Sequence, residues 1–256
     1  MAESTLTLTY TDLLSEVGLF LGWGADSSNW STNQSTSVAA CVDAGYRRFL
    51  RADGKHKWSF LRPVTSLTTT ADDYDQDLPD AFGGLVGQGF YYADTTAGKT
   101  LIPKVPIGLV LDKRTQSTDS GLPLMAAIRT KTFDPTTGQR WEVLFWPAPD
   151  DTYTLYYKYR VLLNQMSTTN LYAIGGMEHS ETVKEACLMV AEERHRDESN
   201  GLHKKLYGEQ LVISIDRDQQ DHSPSIYGYN SDLSDEILND GTEMFGDRRA
   251  TFTFTS

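Results

Sequence analysis

Cysteine is scarce in this chain: 256 residues contain only Cys41 and Cys187, far apart and outside any Cys-x-x-Cys pattern. That excludes a disulfide framework and a thiolate metal site, and predicts two buried free thiols on helical faces. Long apolar runs are also missing. No stretch approaches the ~18 residues of a membrane span. Met1-Ala2-Glu3-Ser4 lacks the basic start and apolar run of a secretory signal, so a protein made in a reducing cytoplasm is expected. The sequons at Asn29-Trp30-Ser31 and Asn33-Gln34-Ser35 carry little meaning without such a signal. Basic charge is in deficit, with 23 Lys and Arg against 35 Asp and Glu, a formal net charge of −12. Such a balance argues against gripping nucleic acid by phosphate neutralisation. It suits plain solubility, or a surface past which DNA slides without sticking.

Catalytic motifs are missing as well. Gly98-Lys99-Thr100 mimics the end of a phosphate loop, but Ala93 stands where the leading glycine belongs, and Pro103 and Pro106 follow where a helix should begin. A hairpin turn is the better reading. Asp73, Asp75 and Asp77 mimic a calcium loop, yet Leu78 and Gly84 occupy the turn-glycine and bidentate-glutamate positions, so an acidic surface loop is expected. His56, His179, His195, His203 and His222 form no i, i+4 pair and adjoin no cysteine, and no zinc site is indicated. There is no Gly-x-Ser-x-Gly elbow. No cofactor, metal or catalytic residue is assigned, and the chain reads as a non-enzyme.

What is present is patterning. Thr9 and Asp12 form a capping-box signature ahead of Leu13, Leu14, Val17, Phe20 and Leu21. Val38, Cys41, Val42, Gly45, Tyr46, Phe49 and Leu50 make one continuous helical stripe, closed by Asp53-Gly54. From Lys57 the character becomes β. Val64 to Thr70, Phe90 to Tyr92, Leu101 to Leu111, Leu122 to Thr130, Arg140 to Trp146 and Thr152 to Leu162 read as strands separated by turn signals. Tyr153, Leu155 and Tyr157 alternate with Thr154, Tyr156 and Lys158, so both faces of that strand carry apolar mass, as in a sandwich core or a subunit interface. Helical spacing returns at Val183, Ala186, Cys187, Val190 and Ala191. After the Asn200-Gly201 joint it continues through Leu202, Leu206, Leu211 and Ile215, which predicts an antiparallel helix hairpin from the short connection.

Beyond Asp216 the chain is polar and acidic, with spaced apolar anchors: Ile226, Tyr227, Tyr229, Leu233, Ile237, Leu238, Met244, Phe245, Phe252 and Phe254. It cannot bury enough apolar surface to fold alone, but can order on a partner. Thr251 to Thr255 alternates and suits either strand addition to a neighbouring sheet edge or a frayed tail. One basic cluster stands out: Arg47, Arg48, Arg51, Lys55 and Lys57. It suits contact with DNA or an acidic partner, or simply a solvated helix face.

The fold expected is α+β: an antiparallel helical bundle of about four helices, with an inserted antiparallel β-domain and an extended C-terminal arm. The expected boundaries are 1–57 and 171–216 for the helical core, 58–170 for the β-rich insertion and 217–256 for the arm.

Five segments stand in order: Tyr10-Thr11-Asp12-Leu13-Leu14; Val42 to Phe49 leading to Trp58-Ser59-Phe60; Tyr74 with Leu78-Pro79-Asp80-Ala81-Phe82; Phe145-Trp146-Pro147-Ala148-Pro149 followed by Tyr153 to Arg160; and the helix from His179 with Glu185-Ala186-Cys187 and Ala191-Glu192. Together they resemble the head–tail adaptor (connector) proteins of tailed bacteriophages, the type with a β-domain inserted in a helical bundle. The resemblance spans roughly residues 8 to 218. It implies a structural virion protein of the neck, between head and tail, assembled in the host cytoplasm. It implies a homo-oligomeric ring, commonly a dodecamer, under the portal protein, which extends the DNA channel and presents a docking surface to nozzle or tail-tube proteins. Genomic DNA would pass during ejection without specific binding, and no membrane is involved. The anchors from Ile226 to Phe254 would then form a portal-binding arm. Alternatives are another neck or tail component, such as a tail-tube or stopper protein, or a glycan- or protein-binding module.

Overall fold

A computed structural model describes residues 3–54, 56–93, 101–131, 135–136, 138–198 and 200–222. It contains five helices and antiparallel sheets, an α+β protein. In chain order the elements are α1 (Tyr10–Phe20), α2 (Thr32–Arg51), β1 (Val64–Thr68), β2 (Asp75–Asp77), β3 (Phe82–Tyr92), β4 (Leu101–Pro103), α3 (Ile107–Gln116), β5 (Met125–Thr130), β6 (Trp141–Trp146), β7 (Thr154–Val161), α4 (Met177–His195) and α5 (Leu202–His222). They fall into two compact units. One runs to Leu61 and resumes at Leu163; the other holds Arg62–Leu162.

In the first unit, α1 starts where the sequence signals it. The Thr9 hydroxyl accepts from the Asp12 N–H, and the Asp12 carboxylate accepts from the Thr9 N–H in return. A second capping box, Ser31 with Gln34, opens α2 earlier than the apolar stripe alone suggests, because the first turns of α2 are polar. Val38, Cys41, Val42, Gly45, Tyr46 and Phe49 form its buried face. The helix ends at Arg51, ahead of the expected Asp53-Gly54, with Ala52 in the left-handed position and its N–H bonded to the Arg48 and Phe49 carbonyls. Gly45 sets how closely α2 approaches α4. A Cβ there would stand 2.5 Å from the Cys187 Cα and 2.6 Å from the Cys187 nitrogen.

Both cysteines are free and buried. Burial is the main cause that pushes each thiol upward, so neither is a poised nucleophile. Helix α4 is the most enclosed element: Val183, Ala186, Cys187, Leu188, Met189, Val190 and Ala191 are all buried. Burying Phe49 and Trp58 contributes roughly 1.5–3 kcal/mol each. Trp58 also donates Nε1–H to the Phe49 carbonyl at 3.0 Å and stacks on Phe60 at 5.1 Å. Helix α5 continues past Asp216 to His222. Its inward face mixes Tyr207 and Leu211 with Ser214 and Asp218, all buried. That mixture is why an apolar count ends the helix too soon.

The second unit pairs two antiparallel sheets, ordered β1-β7-β3-β4 and β2-β6-β5. Phe82, Phe90, Ile102, Leu155 and Tyr157 from the first and Ala126, Val143 and Phe145 from the second share one core. Strand β7 alternates cleanly, with Leu155, Tyr157 and Tyr159 inward and Thr154 and Tyr156 outward. Strand β3 shifts register twice against β7, and Gly84 and Gly87 supply the positive φ values near those irregularities.

The expected strand Leu101 to Leu111 is corrected. Only Leu101–Pro103 is β, and Ile107–Gln116 is the helix α3. Ile107, Leu109 and Leu111 alternate in a way that imitates a strand, but Pro106 immediately precedes the helix with a preset φ, and prolines favour helix starts as much as they forbid helix interiors. Val110 is the buried residue of α3 and packs with Ala127 and Leu144 on the far side of β5 and β6. Strand β6 is therefore covered on both faces, which explains four consecutive buried residues, Glu142 to Phe145.

Candidate functional site

Of the basic cluster, Arg48 and Arg51 occupy the last turn of α2, where cations oppose the helix dipole. They converge with residues that only tertiary packing brings near. Arg48, Arg51 and Gly54 line a groove of about 580 Å³ together with Met189 and Glu193 of α4 and Lys204, Tyr207 and Gly208 of α5. Arg47 and Lys57 are not among its lining residues, and Lys55 lies outside the described residues.

The groove has an apolar floor and a cationic rim. Met189 and Tyr207 are buried, while Arg51 and Lys204 are exposed. The Arg48 guanidinium donates to Glu193 Oε2 at 2.5 Å. That hydrogen bond holds the Glu193 carboxyl below its ordinary range despite partial burial, and Lys204 and Arg194 pull in the same direction. Lys204 Nζ donates to Asn200 Oδ1 at 3.0 Å, and the Tyr207 hydroxyl donates to the Arg48 carbonyl at 3.3 Å. With three cations and one carboxylate on its lining, the groove carries net positive charge on a strongly acidic protein.

A second arrangement in the same unit was not legible from motifs. Asp218 of α5 is buried at the turn that carries Trp58. Its Oδ2 lies 2.5 Å from His56 Nε2 and accepts the Ser59 N–H at 3.1 Å, and its other oxygen accepts the Ser59 hydroxyl. Burial pushes the Asp218 carboxyl upward, but the hydrogen bonds from His56 and Ser59 outweigh it and leave the carboxyl below its ordinary range. This is a structural pin. A carboxylate–histidine–hydroxyl set of this kind resembles a catalytic triad on paper, but here the serine hydroxyl donates to the carboxylate rather than to the imidazole.

The expected acidic surface loop is corrected in part: Asp75–Asp77 is strand β2, paired with β6, and its carboxylates are engaged. Asp75 accepts from Arg114 at 2.7 Å and from Arg129 at 3.1 Å, and Asp77 accepts from Lys131 at 2.6 Å. Arg114 also lies over the Tyr74 ring at 4.6 Å and donates to the Tyr74 carbonyl. These aspartates fasten β2 to α3 and to the end of β5. Among the described residues no group of His, Cys, Asp or Glu is placed to hold a metal ion. Nor is any described helix long and apolar enough to cross a membrane.

The outer face of the four-stranded sheet is the other exposed feature. Tyr91 and Tyr156 are cross-strand partners, 40% and 46% exposed, and Val64 on the edge strand β1 is 66% exposed. Aromatic pairs of this kind are enriched at protein interfaces. The ten anchors from Ile226 to Phe254, and the alternating segment Thr251 to Thr255, lie outside the described residues.

No curated protein matches the chain. A family model described as SU10 adaptor protein matches residues 8–228, which takes in both units almost entire. The chain therefore belongs to the SU10 adaptor protein family, a phage head–tail adaptor family.

Proposed function

We propose that this protein is a non-catalytic subunit of the virion neck: a ring, commonly of twelve copies, beneath the portal protein, which extends the DNA channel and offers the tail a docking surface. The family match over residues 8–228 carries this reading. The organisation fits it, since the β unit Arg62–Leu162 interrupts the helical unit in sequence, as in adaptors with an inserted β-domain. The bundle arrangement of α1, α2, α4 and α5 belongs to the same reading. So does the net charge of −12, which disfavours tight contact with passing genomic DNA.

In this reading the residues after α5 form an arm that clasps the portal through Ile226, Tyr227, Tyr229, Leu233, Ile237, Leu238, Met244, Phe245, Phe252 and Phe254. The exposed Tyr91–Tyr156 face is the surface for a neighbouring subunit or a tail protein. Removing residues 223–256, beyond the end of α5, is expected to abolish binding to purified portal while leaving the helical circular dichroism intact. Undiminished portal binding by that variant would refute the arm. A virion reconstruction that places the chain in the tail tube, rather than directly under the portal, would refute the adaptor position itself.

A further inference from the structure

Gly208 has no evident reason to be glycine. It lies inside α5, where glycine costs about 1 kcal/mol relative to alanine. Its φ is not positive, and a Cβ built on it meets none of the described residues within 4 Å. Gly45, by contrast, is required by the close passage of α4. Gly208 lines the cationic groove, so what its missing side chain preserves is room above the floor formed by Met189 and Tyr207. A groove of about 580 Å³ is within the size range of ligand-binding clefts, and so has room for a side chain.

The sequence holds a matching occupant. Between Asp232 and Asp240 the chain carries Asp232, Asp235, Glu236 and Asp240 with no basic residue, and Leu233, Ile237 and Leu238 as aliphatic anchors. Leu233 and Ile237 are four apart, so one helical turn would put both on one face. We infer that the groove between α2, α4 and α5 is a docking site for the acidic segment Asp232–Asp240 of the same chain. An aliphatic anchor enters over Gly208, and the carboxylates face Arg48, Arg51 and Lys204.

The tether suits an intramolecular dock. At about 1.5 Å rise per residue, Lys204 to Gly208 lie roughly 21–27 Å back along α5 from His222. The ten-residue step from His222 to Asp232 spans at most about 33 Å, and a flexible chain of that length averages roughly 18 Å. A linker whose reach is close to the span gives an effective concentration near millimolar, enough for a weak groove to be occupied. The inference goes beyond the portal reading and stands without it, because the dock operates in the isolated subunit. It would hold part of the arm against its own helical unit until a stronger partner takes the anchors.

The test uses the full chain with no portal present. Gly208→Cys and Ile237→Cys are introduced together; the native Cys41 and Cys187 are buried and do not compete. A short bismaleimide should give a cross-link within single chains, with a yield independent of protein concentration. Adding Arg51→Glu and Lys204→Glu should lower that yield roughly tenfold, and adding Asp235→Lys and Glu236→Lys to those should restore it. Restoration separates charge recognition from misfolding. Separately, Gly208→Phe should fill the groove and accelerate cleavage after Glu236 by a glutamyl endoprotease. No cross-link, a yield indifferent to charge reversal, cross-links only between chains, or unchanged cleavage in Gly208→Phe would each overturn the assignment.

Discussion

Two glycines inside helices should respond to the same substitution with opposite signs. Replacing either Gly45 or Gly208 by alanine removes the helix penalty of glycine, worth about 1 kcal/mol. At Gly208 no described residue opposes that gain within the helical unit, and a single methyl is small enough to leave most of the groove open. At Gly45 the new methyl would stand 2.5 Å from the Cys187 Cα, 2.6 Å from its nitrogen and 2.8 Å from the Ala186 carbonyl carbon. Carbon contacts settle at about 3.5–4.0 Å, so the α4 backbone must retreat by roughly 1 Å. A helix cannot yield locally as the end of a lysine chain can. The retreat loosens α4 against Val42 and weakens the contact of Cys187 Sγ with the Val42 carbonyl, now 3.6 Å. Overpacking of this kind costs about 1–3 kcal/mol, and more where rigid backbone must move. The net effect at Gly45 is a loss of about 2 kcal/mol, against a gain of about 1 kcal/mol at Gly208. Urea denaturation followed by helical circular dichroism measures both. With a urea slope of about 1–3 kcal/mol per molar, the Gly45→Ala midpoint should fall by roughly 1 M while the Gly208→Ala midpoint rises. A rise at both positions would refute the close-packing account of Gly45.

Two further substitutions test polar groups in the interior. Asp218 titrates below its ordinary range in the folded protein, so the stability it contributes is fully present above about pH 4 and is lost as pH falls through the folded value. Asp218→Asn should lower stability at pH 7 by roughly 2 kcal/mol and flatten the decline below about pH 4; an unchanged acid profile would argue against the pin. The Tyr157 hydroxyl is buried with no hydrogen-bond partner among the described residues, and desolvation pushes its phenol upward. Tyr157→Phe removes that hydroxyl without changing the shape of the β core. It should raise stability by about 1 kcal/mol in thermal denaturation, and a loss would mean that the hydroxyl is satisfied.

The legible parts of the fold are those where one local rule acts alone. The Thr9–Asp12 box, the α2 stripe and the alternation of β7 needed only neighbours in sequence. The misread parts are those where tertiary partners overrule the pattern. Asp75 and Asp77 lie in a strand because Arg114, Arg129 and Lys131, distant in sequence, neutralise them. Ile107, Leu109 and Leu111 tolerate a helix with exposed apolar residues because Val110 alone is needed to seal β6. The groove was half legible. Arg48 and Arg51 stand out in any charge count, but Glu193, Lys204 and Tyr207 join them only through packing of three helices. The mid-helix glycine at position 208 was the available signal, and its meaning needed the empty space above it.

The Asp218 pin also defines a route for mechanical load. Asp218 stands one turn before the end of α5, where the chain leaves toward residue 223. Helix α5 is keyed to α4 by the Thr182–Ser214 hydroxyl pair at 2.6 Å, and Asp218 grips Ser59 and His56 on either side of the Trp58 wedge. Polar teeth of this kind have discrete seats, so α5 does not creep along its neighbour under tension. Pull applied to the chain beyond His222 would then fall first on the Asp218 carboxylate and, through His56 and Ser59, on the buried Trp58 between them.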